Sequence, residues 1–234
     1  MISRQIRLFS HQKTSKPTEV PKYLQDTYWW AYIHPTAVWF FERQWIVNSI
    51  LWGNFYRLRE AALAEFQHPQ KCLQVACVYG DFTQTLARSL PPGAELHVVD
   101  VAQIQLENLK QKLGPTTTVT THLQDSSALQ FADESFDHVV LFFLLHEMPA
   151  AVRKRTVEEA VRVLQPGGKC VFVDYHKPSA LSPFRYVMWP VLHFLEPFAL
   201  DLWREDIEQL LPTVSSVEKQ TYFGGLYQKV VVTK

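Results

Sequence analysis

The residues best suited to chemistry are two aspartates, Asp100 and Asp125, read together with the segment CLQVACVYGDFT at Cys72–Thr83. That segment has the layout of the first strand, turn and helix of a nucleotide-binding α/β domain. Such a turn needs glycines for its tight bend and for close approach of backbone to ligand. Only Gly80 remains, and Ala76, Val78 and Tyr79 fill positions where bare backbone is expected. The pattern of the fold is kept while its ligand surface is altered. Asp100 ends the next β-prone run, with Val101 behind it, 20 residues after Gly80. A carboxylate there accepts both ribose hydroxyls of a nucleoside; its simpler role is to cap the following helix. Asp125, with Ser126 alongside, is placed to accept from an adenine amine; its simpler role is an Asx-turn.

Two further groups follow later strands. His146-Glu147 comes after the fourth. It is not the helix of a zinc protease, because Ala150 stands where the second histidine belongs. Asp174-Tyr175-His176 comes after the fifth, on the same carboxyl edge of the sheet, where ligands of open α/β sheets bind. Tyr175, His176 and His146 are the candidates for polarising a carbonyl or moving protons.

The elements that must position these residues alternate. Lys71–Val78 reads as a buried parallel strand. Phe82, Leu86 and Leu90 form a helix stripe that stops at Pro91-Pro92-Gly93. Leu96–Asp100 is a strand, and Leu106, Leu109 and Leu113 mark a helix ended by Gly114-Pro115. Thr116–His122 and His138–Leu145 are the third and fourth strands. Pro149 opens a helix buried along Val157, Ala160, Val161 and Leu164, with i,i+4 pairs Lys154/Glu158 and Arg155/Glu159 facing water. Gln165-Pro166-Gly167-Gly168 is expected to stop it before a fifth strand at Lys169–Asp174. Val214–Phe223 and Leu226–Thr233 flank Gly224-Gly225 as a hairpin. The expected fold is a doubly wound, mostly parallel Rossmann-like α/β sheet with an antiparallel edge.

Composition narrows the function. Lys+Arg and Asp+Glu balance at 23 each, which argues against broad electrostatic binding to nucleic acid. Three cysteines without a CxxC pattern fit a reduced compartment, with neither a disulfide framework nor a structural zinc. No apolar run reaches the ~18 residues of a membrane span. Residues 1–19 carry Arg4, Arg7, Lys13 and Lys16 with one acid, Glu19, and read as a flexible basic tail. A mitochondrial transit peptide has a similar composition. All seven tryptophans lie outside the central α/β stretch, in Tyr28–Tyr56 and Phe184–Trp203.

The runs QDSSALQFADESFDHVVLFFLLHEMP and RVLQPGGKCVFVDYH resemble the class I S-adenosylmethionine (SAM) methyltransferases, especially those of quinone biosynthesis. That likeness covers about residues 70–176 and the terminal hairpin. The altered turn VACVYGDFT, with DTYWWAYIHP before it and DYHKP after it, resembles a narrower group, the rhodoquinone biosynthesis proteins (RquA-like). This resemblance implies replacement of a ring methoxy group of ubiquinone by an amino group donated by SAM. It also implies a requirement for manganese as a Lewis acid. Two histidines with Asp125 or Asp174 suit manganese, but spacing assigns no metal ligands. Gln74 stands where an acid normally ends strand one, and a missing carboxylate leaves the SAM amine free to be neutral.

The expected organisation is a tail at 1–19, an aromatic helical cap at 20–66, and a SAM-binding domain at 67–234 with an aromatic insert at 178–212. Ala76, Val78, Tyr79, Gly80, Asp100, Val101, Asp125 and Ser126 are the candidate SAM contacts. Tyr28, Trp29, Tyr32 and Trp189 are the candidate quinone contacts, because Tyr and Trp suit a membrane interface. The expected partners are a ubiquinone-type lipid and the membrane surface. The expected location is cytoplasmic, peripheral at the inner membrane, or the mitochondrial matrix in a eukaryote. Two alternatives stand beside this reading: a conventional quinone methyltransferase, and a catalytically inactive protein of the same fold that binds quinone.

Overall fold

The computed structural model describes residues 20–29, 31, 34–114 and 118–234. Seven strands form one sheet in the order β3-β2-β1-β4-β5-β7-β6. They are β1 Lys71–Val75, β2 Glu95–Asp100, β3 Val119–Leu123, β4 Phe136–Phe142, β5 Leu164–Tyr175, β6 Ser216–Tyr222 and β7 Tyr227–Thr233. The first five run parallel, and β7 enters antiparallel between β5 and β6. The helices are α1 Lys22–Tyr28, α2 Pro35–Phe41, α3 Gln44–Ile50, α4 Phe55–Leu63, α5 Phe82–Ser89, α6 Gln103–Leu113, α7 Ala150–Arg162, α8 Pro183–Leu195, α9 Ala199–Leu202 and α10 Ile207–Leu210.

Side chains alternate across the sheet with period two, so each strand feeds two cores. Cys72, Val98, Val140 and Val171 face a cluster closed by α4, α5, α6 and α8. Leu73, Val99, Val139 and Cys170 face a second, closed by α7, α9 and α10. Phe55, Leu58 and Ala62 of α4 are fully buried in the first cluster. That helix, which falls in the expected cap at 20–66, therefore covers the sheet itself. Glu65 beyond its end pairs with Lys229 at 2.5 Å and Lys169 at 3.3 Å on β7 and β5. Register sets the carboxyl ends of the strands side by side, Val75 against Val99 and Val98 against Thr121.

Some expectations change in detail. Gln165-Pro166-Gly167-Gly168 does not separate helix from strand. β5 already begins at Leu164, and pairing jumps from Phe136↔Leu164 to His138↔Lys169, so these residues form a bulge. Gly167 takes φ +78, and its N–H donates to the Lys234 carbonyl at 2.9 Å, which ties the bulge to the chain end. Glu159 does not pair with Arg155. It binds Arg162 at 2.7 Å and accepts from the Leu129 N–H, also at 2.7 Å. The first part of the expected third strand, 116–117, lies outside the described residues, as does the tail at 1–19.

Arg153 has no exposed surface, although it sits on the apolar stripe of α7. Its guanidinium donates to the carbonyls of Leu145 at 2.9 Å, Met148 at 3.0 Å and Phe198 at 2.9 Å. Glu205 lies 3.4 Å away. One cation thus joins α7, the turn after β4 and the α8–α9 connection. We expect Arg153→Ala to lower the unfolding free energy by about 3–5 kcal/mol, the usual result of stripping one partner from a buried charge network. Urea denaturation measures it, and a loss below about 1 kcal/mol, the scale of an exposed pair, contradicts this role.

Candidate functional site

A cavity of about 590 Å³ lies against the carboxyl ends of β1, β2, β4 and β5. Ala76, Val78, Tyr79, Asp100, Val101, Asp125, Ser126, His146 and Tyr175 line it. The remaining candidates lie elsewhere. Gly80 is buried outside the lining. His176 is turned away, its Nδ1 bonded at 2.7 Å to the Gly225 carbonyl of the β6–β7 turn. Tyr28 is fully buried against Glu196 and Phe198, one layer behind the wall. Trp29 and Trp189 are about half exposed, the latter stacked on His193. Tyr32 is outside the described residues.

The glycine-poor turn is held by side chains. Ala76 takes φ +70, a left-handed conformation that costs a non-glycine residue about 1–3 kcal/mol. Its carbonyl accepts from Gln74 Nε2 at 2.9 Å, and Gln74 is fully buried. The Gly80 N–H donates to Glu42 Oε1 at 3.0 Å, and the Asp81 N–H donates to Gln44 Oε1 at 2.9 Å. Both acceptors come from the α2–α3 corner. Glu42 is matched by Lys112 at 2.5 Å and Asn108 at 2.5 Å on α6. The φ of +80 favours glycine at position 80, and a Cβ there would push aside the end of the Gln44 side chain, whose Oε1 would lie at 2.7 Å. The Tyr79 hydroxyl donates to the Ala31 carbonyl at 2.6 Å and accepts from Gln105 at 2.8 Å, while its ring stacks on Phe41. The amides of Gly80 and Asp81, in the turn just ahead of α5, are thus already filled by the chain.

Asp100 accepts the Cys77 N–H on one oxygen and the Ala102 N–H on the other, each at 2.8 Å. Burial pushes its carboxyl up, against the pull of those amides. The Val101 N–H and the Cys77 thiol also approach this carboxylate, which lines the cavity. Asp125 makes the Asx-turn, accepting from the Ser127 N–H and hydroxyl at 2.8 Å through Oδ1, and it also lines the cavity. Its loop is fastened to α7, since Arg162 binds the carbonyls of Leu129 and Phe131. Ser126 Oγ lies 3.2 Å from Thr156 Oγ1.

The opposite wall holds a buried dyad. His146 Nδ1 lies 2.9 Å from Asp174 Oδ1, and the Leu145 N–H donates to Asp174 Oδ2 at 2.8 Å. His146 Nε2 faces Glu147 Oε1 at 3.8 Å. Burial opposes charge on this imidazole, but Asp174, Glu196 and Glu147 outweigh it and raise its pKa to about 9. Burial pushes the Tyr175 phenol well up, so it stays neutral. Burial also pushes Glu196 up, against the pull of His146 and of the Tyr28 hydroxyl. Among the described residues no three His, Cys, Asp or Glu side chains converge to hold a metal, so the donor set does not fit manganese. Glu42, Gln44, Arg153 and Glu196 were not singled out by sequence reasoning. Two of them carried a signal: Arg153 is a charge on an apolar stripe, and Glu196 interrupts the apolar run of α8.

Residues 72–168 match a family model described as a methyltransferase domain. The demethylmenaquinone methyltransferase of Geobacillus sp. (strain WCH70) is 28% identical over 145 residues, covering 61% of this chain and 61% of that protein. That of Staphylococcus aureus (strain JH9) is 30% identical over 139 residues, covering 59% and 56%. The chain thus spans about three-fifths of the length of the curated relatives it matches. The crystal structure of the cyclase SpnF superposes with a TM-score of 0.56 at 18% identity, over 76% of this chain and 80% of that one. The N-methyltransferase NodS of Bradyrhizobium japonicum WM9, bound to S-adenosyl-L-homocysteine, gives 0.53 at 16%, over 76% and 84%. The fold is that of the class I SAM-dependent methyltransferases. Residues 72–168 are similar to a methyltransferase domain, and the chain is similar in sequence to demethylmenaquinone methyltransferases. That a cyclase shares the fold shows that the fold alone does not fix the reaction.

The His146 shift sets a pH dependence. The fold favours the charged imidazole, so its contribution to stability is complete below about 6.5, the ordinary histidine value, and is lost as pH rises through about 9. The stability difference between wild type and His146→Gln should therefore shrink over that interval in denaturant titrations. A difference that is flat with pH contradicts a charged His146.

Proposed function

We propose that the chain binds SAM in this cavity and uses it to convert a ubiquinone-type lipid to rhodoquinone, replacing a ring methoxy group with the amino group of SAM. Asp100 takes the ribose and Asp125 the adenine. The observation that carries the reading is the turn after β1, where Glu42 and Gln44 already hold the amides that would seat a ligand carboxylate. The amino-acid end of SAM is then displaced toward the side of the cavity lined by His146 and Tyr175. Gln74 replaces an acid at the end of β1, so no carboxylate there holds a proton on the amine.

The neutral amine adds to the ring carbon that bears methoxy, and methanol leaves, taking up a proton from the nitrogen. The carbon–nitrogen bond to the remnant of SAM then breaks by elimination. The carbon next to the former amine carbon loses a proton, and its electron pair forms a carbon–carbon double bond in the remnant. The nitrogen keeps the pair of the broken bond and takes up a proton as the ring amino group. His146, charged at neutral pH, donates a hydrogen bond to a quinone oxygen as negative charge develops there. Manganese enters as a requirement to be tested. The described side chains do not supply its ligands, and no step here passes through it. The exposed Trp39, Trp45 and Trp189 support peripheral contact with the membrane that holds the quinone.

The second reading is methyl transfer to a quinone, which the likeness to demethylmenaquinone methyltransferases favours. SAM carrying nitrogen-15 on its amine and carbon-13 on its methyl separates the two. We expect the quinone product to carry only nitrogen-15 by mass. A product bearing carbon-13 establishes the methyltransferase instead. Asp100→Ala should weaken SAM binding by about 1.5–3 kcal/mol, the size of a charge-assisted hydrogen bond. Unchanged affinity in calorimetry contradicts the ribose assignment.

A further inference from the structure

Four residues decide where the cavity opens. Of the described residues that line it, only Ile50, Trp52, Val191 and Leu195 are exposed, at 48%, 47%, 40% and 53%. All four are apolar. Ile50 and Trp52 stand at the end of α3 and in the turn after it. Val191 and Leu195 are four apart on α8, on one helix face. The polar part of the lining lies inward of these four, with Asp100 and Asp125 at the ends of β2 and β3 and His146, Glu147 and Tyr175 beyond β4 and at the end of β5. One end of the cavity therefore suits a nucleoside, while its mouth offers nothing that a charged or hydrogen-bonding group would need.

The size of the cavity adds a constraint. At about 590 Å³ it lies within the ~300–1,000 Å³ range of sites that enclose one small ligand. SAM and a quinone ring account for it, and a tail of several isoprene units has no room inside. From this we infer that the mouth between α3 and α8 is the tail channel, in which an isoprenoid chain passes between Ile50 and Trp52 on one lip and Val191 and Leu195 on the other. The tail then runs onto the outer face of α8, where Trp189 and Phe194 are exposed at 52% and 79%. This assignment rests on the quinone reading and gives that ligand an orientation, ring inward and tail toward α8.

The test compares two probes in detergent solution, a long-tailed ubiquinone and its tail-free headgroup, with SAM binding measured in parallel. A carboxylate at the mouth lies in the path of an aliphatic chain. Val191→Glu with Leu195→Glu should thus weaken the long-tailed quinone by roughly tenfold or more and leave the headgroup and SAM unchanged. Ile50→Glu, on the opposite lip, should do the same and serves if the α8 variant does not fold. Equal loss of both quinones, or no loss of either, overturns the channel. Wild-type protein that binds SAM but neither quinone overturns the quinone reading, and the channel falls with it.

Discussion

Peptide N–H groups in a tight turn need acceptors, and in the turn ahead of α5 the chain supplies two of them to itself. The α2–α3 corner lays Glu42 and Gln44 on the amides of Gly80 and Asp81, while Lys112 holds Glu42 on one side and the Gly80 carbonyl on the other. A glycine-rich turn leaves such amides open to a ligand. Here the turn carries side chains, Ala76 accepts a strained φ, and the missing flexibility is replaced by contacts from elements far away in sequence. The position of the cap, the direction in which Tyr79 points and the shape of the cavity all depend on that latch.

A second constraint sits across the cavity. Arg153 gathers three carbonyls around the turn after β4, which presents the Leu145 and His146 amides to Asp174. Asp174 in turn holds the His146 imidazole. The cationic histidine is thus positioned by a buried cation through backbone, not through a direct contact. Between the latch and this dyad lie Asp100 and Asp125, on loops fastened to α6 and α7. The arrangement separates a nucleoside end from a reactive end.

Much of the fold was legible because sheet and helix impose short periods. The apolar runs at Lys71–Val78 and His138–Leu145 mark buried parallel strands, and Gly224-Gly225 marks the hairpin. Asp100 and Asp125 were legible because strand ends place them at the carboxyl edge. Glu42 and Gln44 were not, since nothing local shows that a polar residue 37 or 38 positions upstream will meet a turn. His176 read as a site residue from its place after β5, but the following hairpin lies close enough to take its imidazole. The Pro-Gly-Gly segment read as a helix stop, yet the chain end pairs with it. The aromatic blocks were visible as composition; which rings face the cavity and which face outward is a matter of helix rotation that composition does not encode.

The claim on which the account turns is that the latch stays closed over the Gly80 and Asp81 amides when SAM is bound. A crystal structure of the complex tests it directly. The account predicts ribose hydroxyls within hydrogen-bond distance of Asp100, Glu42 still on the Gly80 N–H, and the SAM carboxylate away from that turn on the His146 side. A structure with Glu42 and Gln44 swung out and the SAM carboxylate seated on those amides would contradict it.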